Sequence, residues 1–294
     1  MKKILNLTKR NIKLYFNDKG MFITSLITPA ILLVLYATFL AKIYESSLVS
    51  MIPENLNIPS NIINGLVSGE LVSSLLAVSC ITVAFCSNLL MVQDKVTGST
   101  KDLLVSPTKK TELSISYFLA SFISTLIINV TALILCLIYM TITSRFVGIG
   151  YVFRILFDVV LLTLFGCSLS SIINCKLNSQ GQISAVGTII SSGYGFICGA
   201  YMPISSFTVG LQKFIKFLPG TYGTSMIRNT TMNPFFKDLS SYLPTQTINE
   251  IKSGLDCRLD FFGTNVSVST MYLIMIITNI LLIGIYILQN RKSK

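Results

Sequence analysis

The chain has 294 residues, of which 52% are hydrophobic and only 12% charged, with a formal net charge of +11 and neither His nor Trp; its mean hydropathy is +0.70. A soluble domain carries about 25% Asp, Glu, Lys and Arg, so the composition excludes that class, and the lack of histidine excludes Ser/His/Asp and Cys/His catalysis. The basic residues flank hydrophobic runs and are not interleaved with stacking aromatics, so they serve membrane orientation and no nucleic-acid partner is expected.

In chain order, residues 2–18 come first, with Ile4, Leu5, Ile12, Tyr15 and Phe16 on one side of a helical wheel and Lys2, Lys9, Arg10 and Lys13 on the other. Such a segment is either a helix lying on the inner membrane surface or a basic flank that sets the topology. Charge-poor runs then predict six transmembrane helices over 21–41, 71–92, 113–141, 155–175, 180–202 and 268–289, since a span takes about 20 residues. No small-residue cleavage site follows the first run, which reads as a retained helix. The basic residues of the amino terminus, of 93–112 and of the carboxyl tail, set against few in the short loops between, predict cytoplasmic termini.

Between the second and third spans lies the polar loop 93–112. Ser99 and Asp102 have the spacing of a helix cap, Gly98 allows a sharp entry and Pro107 a stop, so a short helix is expected from Ser99. Leu103, Leu104 and Val105 give it an apolar face, which either docks a partner or tucks against the bilayer. Phe85 and Asn88 in the second span and Asn129 in the third are candidates to line a substrate pathway, or else to bond between helices. Asp158, the one acid inside a predicted span, is expected to pair with Arg154 one turn away. In the fifth run, Gly187, Ser191, Gly195 and Gly199 recur every fourth residue, a stripe suited to close packing within the subunit or at a dimer interface. Residues 203–267 form an outer segment. Six of the seven cysteines fall in or at the ends of spans, with only Cys257 clearly outside, and no Cys-x-x-Cys occurs, so neither a metal site nor a disulfide framework is expected.

Asp94, Lys95, Gly98, Leu103, Leu104, Ser106 and Pro107 resemble the acidic, glycine, leucine and Ser-Pro signature that follows the second helix of ABC-2 type transporter permeases. Pro203 and the stretch 211–228, with its Leu-Pro and terminal Arg, are similar to the pattern after the fifth helix of that family. Asp94 stands where many members carry Glu. The resemblance implies an all-α integral membrane fold, with 2–18 as a connecting helix in which Lys9, Arg10, Lys13, Tyr15 and Phe16 are prominent. It also implies Ser99–Val105 as a cytoplasmic coupling helix and re-entrant helices after the fifth span. It further implies a bacterial exporter of the kind that moves drugs or polysaccharides, with a second permease subunit and two cytoplasmic ATPase subunits that hold the ATP and Mg. This chain carries no Gly-x-x-x-x-Gly-Lys-Ser/Thr phosphate loop and binds no cofactor on this reading. An ion-coupled secondary transporter and a non-transporting scaffold or immunity subunit are the alternatives.

Overall fold

A computed structural model describes residues 2–50, 52, 58–106, 108–261 and 263–292. Helix α1 (Lys2–Asn17) ends at Asp18, whose carboxylate accepts the Met21 amide and caps α2 (Lys19–Leu35). A π-helical turn, Tyr36–Leu40, carries α2 directly into α3 (Ala41–Ser50), so the first span is longer than the predicted 21–41. Helices α4 (Ser60–Val96), α5 (Ser99–Val105), α6 (Lys110–Thr143), α7 (Ile149–Asn174) and α8 (Gln180–Ile197) follow. After a 3-10 turn, α9 (Val209–Lys216), α10 (Pro219–Leu239) and α11 (Thr245–Gly254) lead to a two-stranded antiparallel hairpin. Its strands are β1 (Leu259–Phe261) and β2 (Thr264–Val266), paired Leu259 to Val266, and α12 (Val268–Lys292) closes the chain. The hairpin is the one departure from an all-α chain among the described residues.

Five helices are long and apolar enough to cross a membrane: Lys19–Ser50, Ser60–Val96, Lys110–Thr143, Ile149–Asn174 and Val268–Asn290. The run predicted at 180–202 is not among them. Helix α8 has 18 residues, about 27 Å at helical rise, and its Gln, Ser and Gly content dilutes its hydropathy. Where α2, α6 and α12 face outward they present Ile27, Ile31, Ile134, Ile138, Ile277 and Ile280, a surface that suits lipid and would be costly in water.

The 37-residue α4 is the axis of the bundle, buried along most of its length and packed by α2, α6, α7, α8 and α10. Its many Ser, Ala, Gly and Cys residues let neighbours approach. A Cβ added at Gly166 of α7 would sit 2.6 Å from the Cys80 carbonyl of α4, so these two backbones touch only because Gly166 has no side chain. Hydroxyls knit the interfaces: Ser87 of α4 shares hydrogen bonds with Ser121 and Thr125 of α6, both at 2.7 Å. Helix α10 is polar in composition yet buried on α4, α7 and α12. Thr231 donates to the Gly69 carbonyl, Ser225 to that of Asp256 and Asn229 to that of Cys257, so its polar groups replace water with backbone acceptors.

The structure corrects two local expectations. The buried residues of α1 are Thr8, Asn11 and Tyr15, whereas Leu5 is 62% exposed; the face toward protein thus mixes polar with aromatic positions, and Leu5 is left on the outside. Arg154 stacks over the Tyr151 ring at 5.5 Å, and Asp158 instead accepts from the Tyr272 hydroxyl of α12 at 2.6 Å. Helix α7 thus uses its acid to hold α12, a partner far away in sequence.

Candidate functional site

At one end of the bundle the polar loop is braced from both sides. Arg10 of α1 donates to Asp94 at 2.8 Å and Tyr117 of α6 donates to the same carboxylate oxygen, so one acid joins three helices. Burial opposes the charge of Arg10, but its hydrogen bond and Coulomb attraction to Asp94 prevail and hold the guanidinium above its ordinary range. On the next residue, Lys95 donates to the Cys175 carbonyl and, at 3.5 Å, to that of Leu177, tying α4 to the end of α7. The cation there satisfies carbonyls that a helix terminus leaves free.

Below this brace the backbone turns through Gly98 at φ +85° with open space around it, and α5 begins. The cap of α5 is Gly98 itself, without a side-chain cap bond. Ser99, expected to cap with Asp102, is the first helical residue and lies 3.0 Å from the Thr97 hydroxyl. Asp102 is exposed in the first turn. Leu103 and Leu104 are half-buried against the cluster of Leu90, Met91, Leu113 and Tyr117, so they anchor the helix and do not form its free face. The free apolar tip is Val105, 89% exposed. Ser106 turns back to the Leu103 carbonyl at 2.6 Å, and Pro107 lies outside the described residues.

Helix α1 is locked onto the same end. Tyr15 donates to Ser25 of α2 at 2.7 Å, Phe16 packs 5.7 Å from the Phe22 ring, and Asn11 reaches Ser116 of α6 at 3.4 Å. Lys9 and Lys13 point away and are exposed. The end of α12 reaches the same end of the bundle, where Asn290 accepts from Ser114 at the start of α6 at 2.8 Å.

The remaining sequence-derived candidates are dispersed. Phe85, Asn88 and Asn129 are buried. Asn88 donates to Ser170 and Ser171 of α7, while Asn129 accepts from Ser79 at 2.7 Å and donates to Thr163, so both amides bond between helices. The small-residue stripe also divides. Gly187 faces open space, Ser191 borders a groove against α2, Gly195 is covered by the Tyr201 ring, and Gly199 lies beyond the end of α8 at φ +72°. A helical period cannot continue through that left-handed turn.

Sequence reasoning missed one cluster. Arg228 of α10, 2% exposed at its side chain, contacts Glu70 of α4 at 2.6 Å and Asp256 at 3.7 Å. It also donates to Ser74, to the Gly199 carbonyl and to the Leu255 carbonyl. Burial pushes the Asp256 carboxyl above its ordinary range, against the attraction of Arg228. The one available signal was Arg228 in the pattern after the fifth run, since Glu70 borders the predicted second span and looks like its polar flank.

A family model, ABC-2 type transporter, matches residues 2–232. The chain belongs to the ABC-2 type transporter family. The matched region runs from α1 through the braced loop and into α10 beyond Arg228, so both polar clusters of this ABC-2 permease except Asp256 fall inside it. No curated protein matches the chain. The family, the apolar helices and the outward apolar surface make it a multi-pass membrane protein and a transporter component whose family associates with an ABC ATPase.

Proposed function

We propose that this chain is the membrane-spanning subunit of an ATP-driven exporter in a bacterial plasma membrane, with α5 as the helix that a cytoplasmic ATPase grips. The observation that carries the reading is the brace: a solvent-exposed apolar tip at Val105, on a short helix whose root is fixed to α1, α6 and α7 by Asp94 and Lys95. A push on α5 from an ATPase cleft is passed to three helices at once, without a loose loop to absorb it. Asp94, Lys95, Gly98, Ser99, Asp102, Leu103, Leu104, Ser106 and Pro107 make up this coupling segment, and α1 is the connecting helix. ATP and Mg are held by two copies of the separate ATPase, and closure of those copies supplies the stroke.

The α5 end is cytoplasmic on this reading, as are both termini, in keeping with Lys2, Lys3, Lys9, Arg10 and Lys13 at that end. Five crossings would leave the two termini on opposite sides. Both terminal helices are tied to the α5 end, α12 by Asn290 on Ser114 and α1 by Arg10 on Asp94, which supports a sixth passage through α8, with α9 and α10 as re-entrant helices of the outer half. Non-spanning helices are tolerated in a membrane where protein buries them, as it buries α10. A second permease subunit, identical or homologous, completes the transporter, with α8 at the interface. The cargo is amphipathic or lipid-like, such as a drug, a peptide or a lipid-linked glycan, since the spans are chiefly apolar.

Affinity purification of the tagged chain in mild detergent, with mass identification and an ATP turnover assay, tests this. Recovery of a nucleotide-binding subunit with turnover is expected. Recovery of the folded chain alone across several detergents would contradict it.

A further inference from the structure

Beside α5 a cavity of about 680 Å³ opens between the ends of α4, α6, α7 and α12. Its floor is apolar, with Met91, Leu104 and Leu113, and its polar rim includes Lys95, Lys110 and Lys176. Among the described residues no Asp or Glu lines it. Lys110 and Lys176 are exposed, while Lys95 borders the space and holds two carbonyls. The volume falls in the range of small-molecule sites, roughly 300 to 1,000 Å³.

We propose that this cavity binds an anionic phospholipid of the inner leaflet, its phosphate among the three ammonium groups and the upper part of its acyl chains on Met91, Leu104 and Leu113. Basic pockets between spanning helices on the cytoplasmic side are suited to anionic headgroups, and an apolar floor beneath three cations fits an amphiphile better than a free ion. Because Leu104 belongs to α5, the lipid fills the space on which the coupling helix rests and stiffens it. The inference uses the orientation proposed above.

The test is native mass spectrometry of the full chain in mild detergent, titrated with dioleoylphosphatidylglycerol or dioleoylphosphatidylcholine. About one phosphatidylglycerol per chain is expected to be retained in preference to phosphatidylcholine, and millimolar glycerol phosphate should not displace it. Replacing both exposed lysines, Lys110→Gln with Lys176→Gln, is expected to weaken retention about thirtyfold, the effect of two basic residues near a charged lipid surface. The Lys110→Arg, Lys176→Arg pair keeps the charge and should retain the lipid, and Lys176→Gln alone, in an exposed turn, should give an intermediate loss. Equal retention of the two lipids, unchanged retention in the double Gln variant, or displacement by glycerol phosphate would each overturn the proposal. The measurement needs no ATPase, so its failure leaves the coupling assignment standing, and failure to recover an ATPase leaves the lipid result readable.

Discussion

At the scale of residues, the deepest electrostatic commitment of the chain is Arg228, buried between Glu70 and Asp256 with three hydrogen bonds to Ser74 and to two carbonyls. Removing one partner of a buried pair leaves the other charge unanswered and costs about 3–5 kcal/mol. Arg228→Ala is therefore expected to lower thermal stability in detergent steeply. Arg228→Lys is expected to recover little, because Nη1 and Nη2 serve different partners that one ammonium cannot reach together. A thiol-reactive dye can follow unfolding, since all seven cysteines are free and none is exposed. A melting temperature in Arg228→Lys equal to that of the parent would contradict the fork geometry. This cluster was not legible in the sequence: the charge-free run begins just after Glu70, so the acid is read as flank, and only the fold brings Arg228 to it. Asp158 shows the same limit, because the i,i+4 rule offers Arg154 while the structure supplies Tyr272 from another helix.

At the scale of elements, local signals served well where a segment is governed by its own backbone. Gly98 allowed the sharp entry, and the Ser99–Val105 helix lies where the loop pattern puts it. Which side of that helix is free was hidden, because it depends on Leu90, Met91, Leu113 and Tyr117, which belong to α4 and α6. The division between anchor and tip makes a sharp expectation. Val105→Asp should leave the melting temperature unchanged, as its side chain is exposed, and should strongly reduce stimulation of ATP turnover. Leu104→Asp should lower both, since it also places a charge against the apolar cluster. Equal stimulation in Val105→Asp and the parent would remove the tip from the coupling mechanism. A second expectation concerns the contact of α4 with α7. Gly166→Ala forces the two backbones apart at Cys80 and should destabilise by about 1–3 kcal/mol, as overpacking does; a neutral result in the same dye assay would contradict the close approach.

At the scale of the whole molecule, composition alone announced a membrane protein, and the spans built on α2, α4, α6, α7 and α12 were legible as charge-poor runs. The role of α10 was not, because its Thr, Asn, Ser and Arg content reads as an outer loop; its polar groups are buried against carbonyls and carboxylates supplied by Gly69 and Glu70 of α4, by Gly199 and by residues 255–257. The small-residue stripe of α8 loses its last member for a related reason, as periodicity cannot see the left-handed turn at Gly199 beyond the end of the helix. What unites the molecule is the position of its two polar clusters, one that joins α1, α4 and α6 at the α5 end and one that joins α4 to α10 and Asp256 further along the same axis. Helix α4 runs through both, so on the proposed coupling role a push on α5 would be carried along a single continuous helix toward the opposite half.

The central claim is that an ATPase grips α5, and site-specific photo-cross-linking in the native membrane tests it most directly. A photoreactive residue at position 105 is expected to form an adduct with a nucleotide-binding subunit, and one at Ile142, exposed near the other end of α6, is expected to form none. An intact complex with no adduct from position 105, or an ATPase adduct from position 142, would contradict the account.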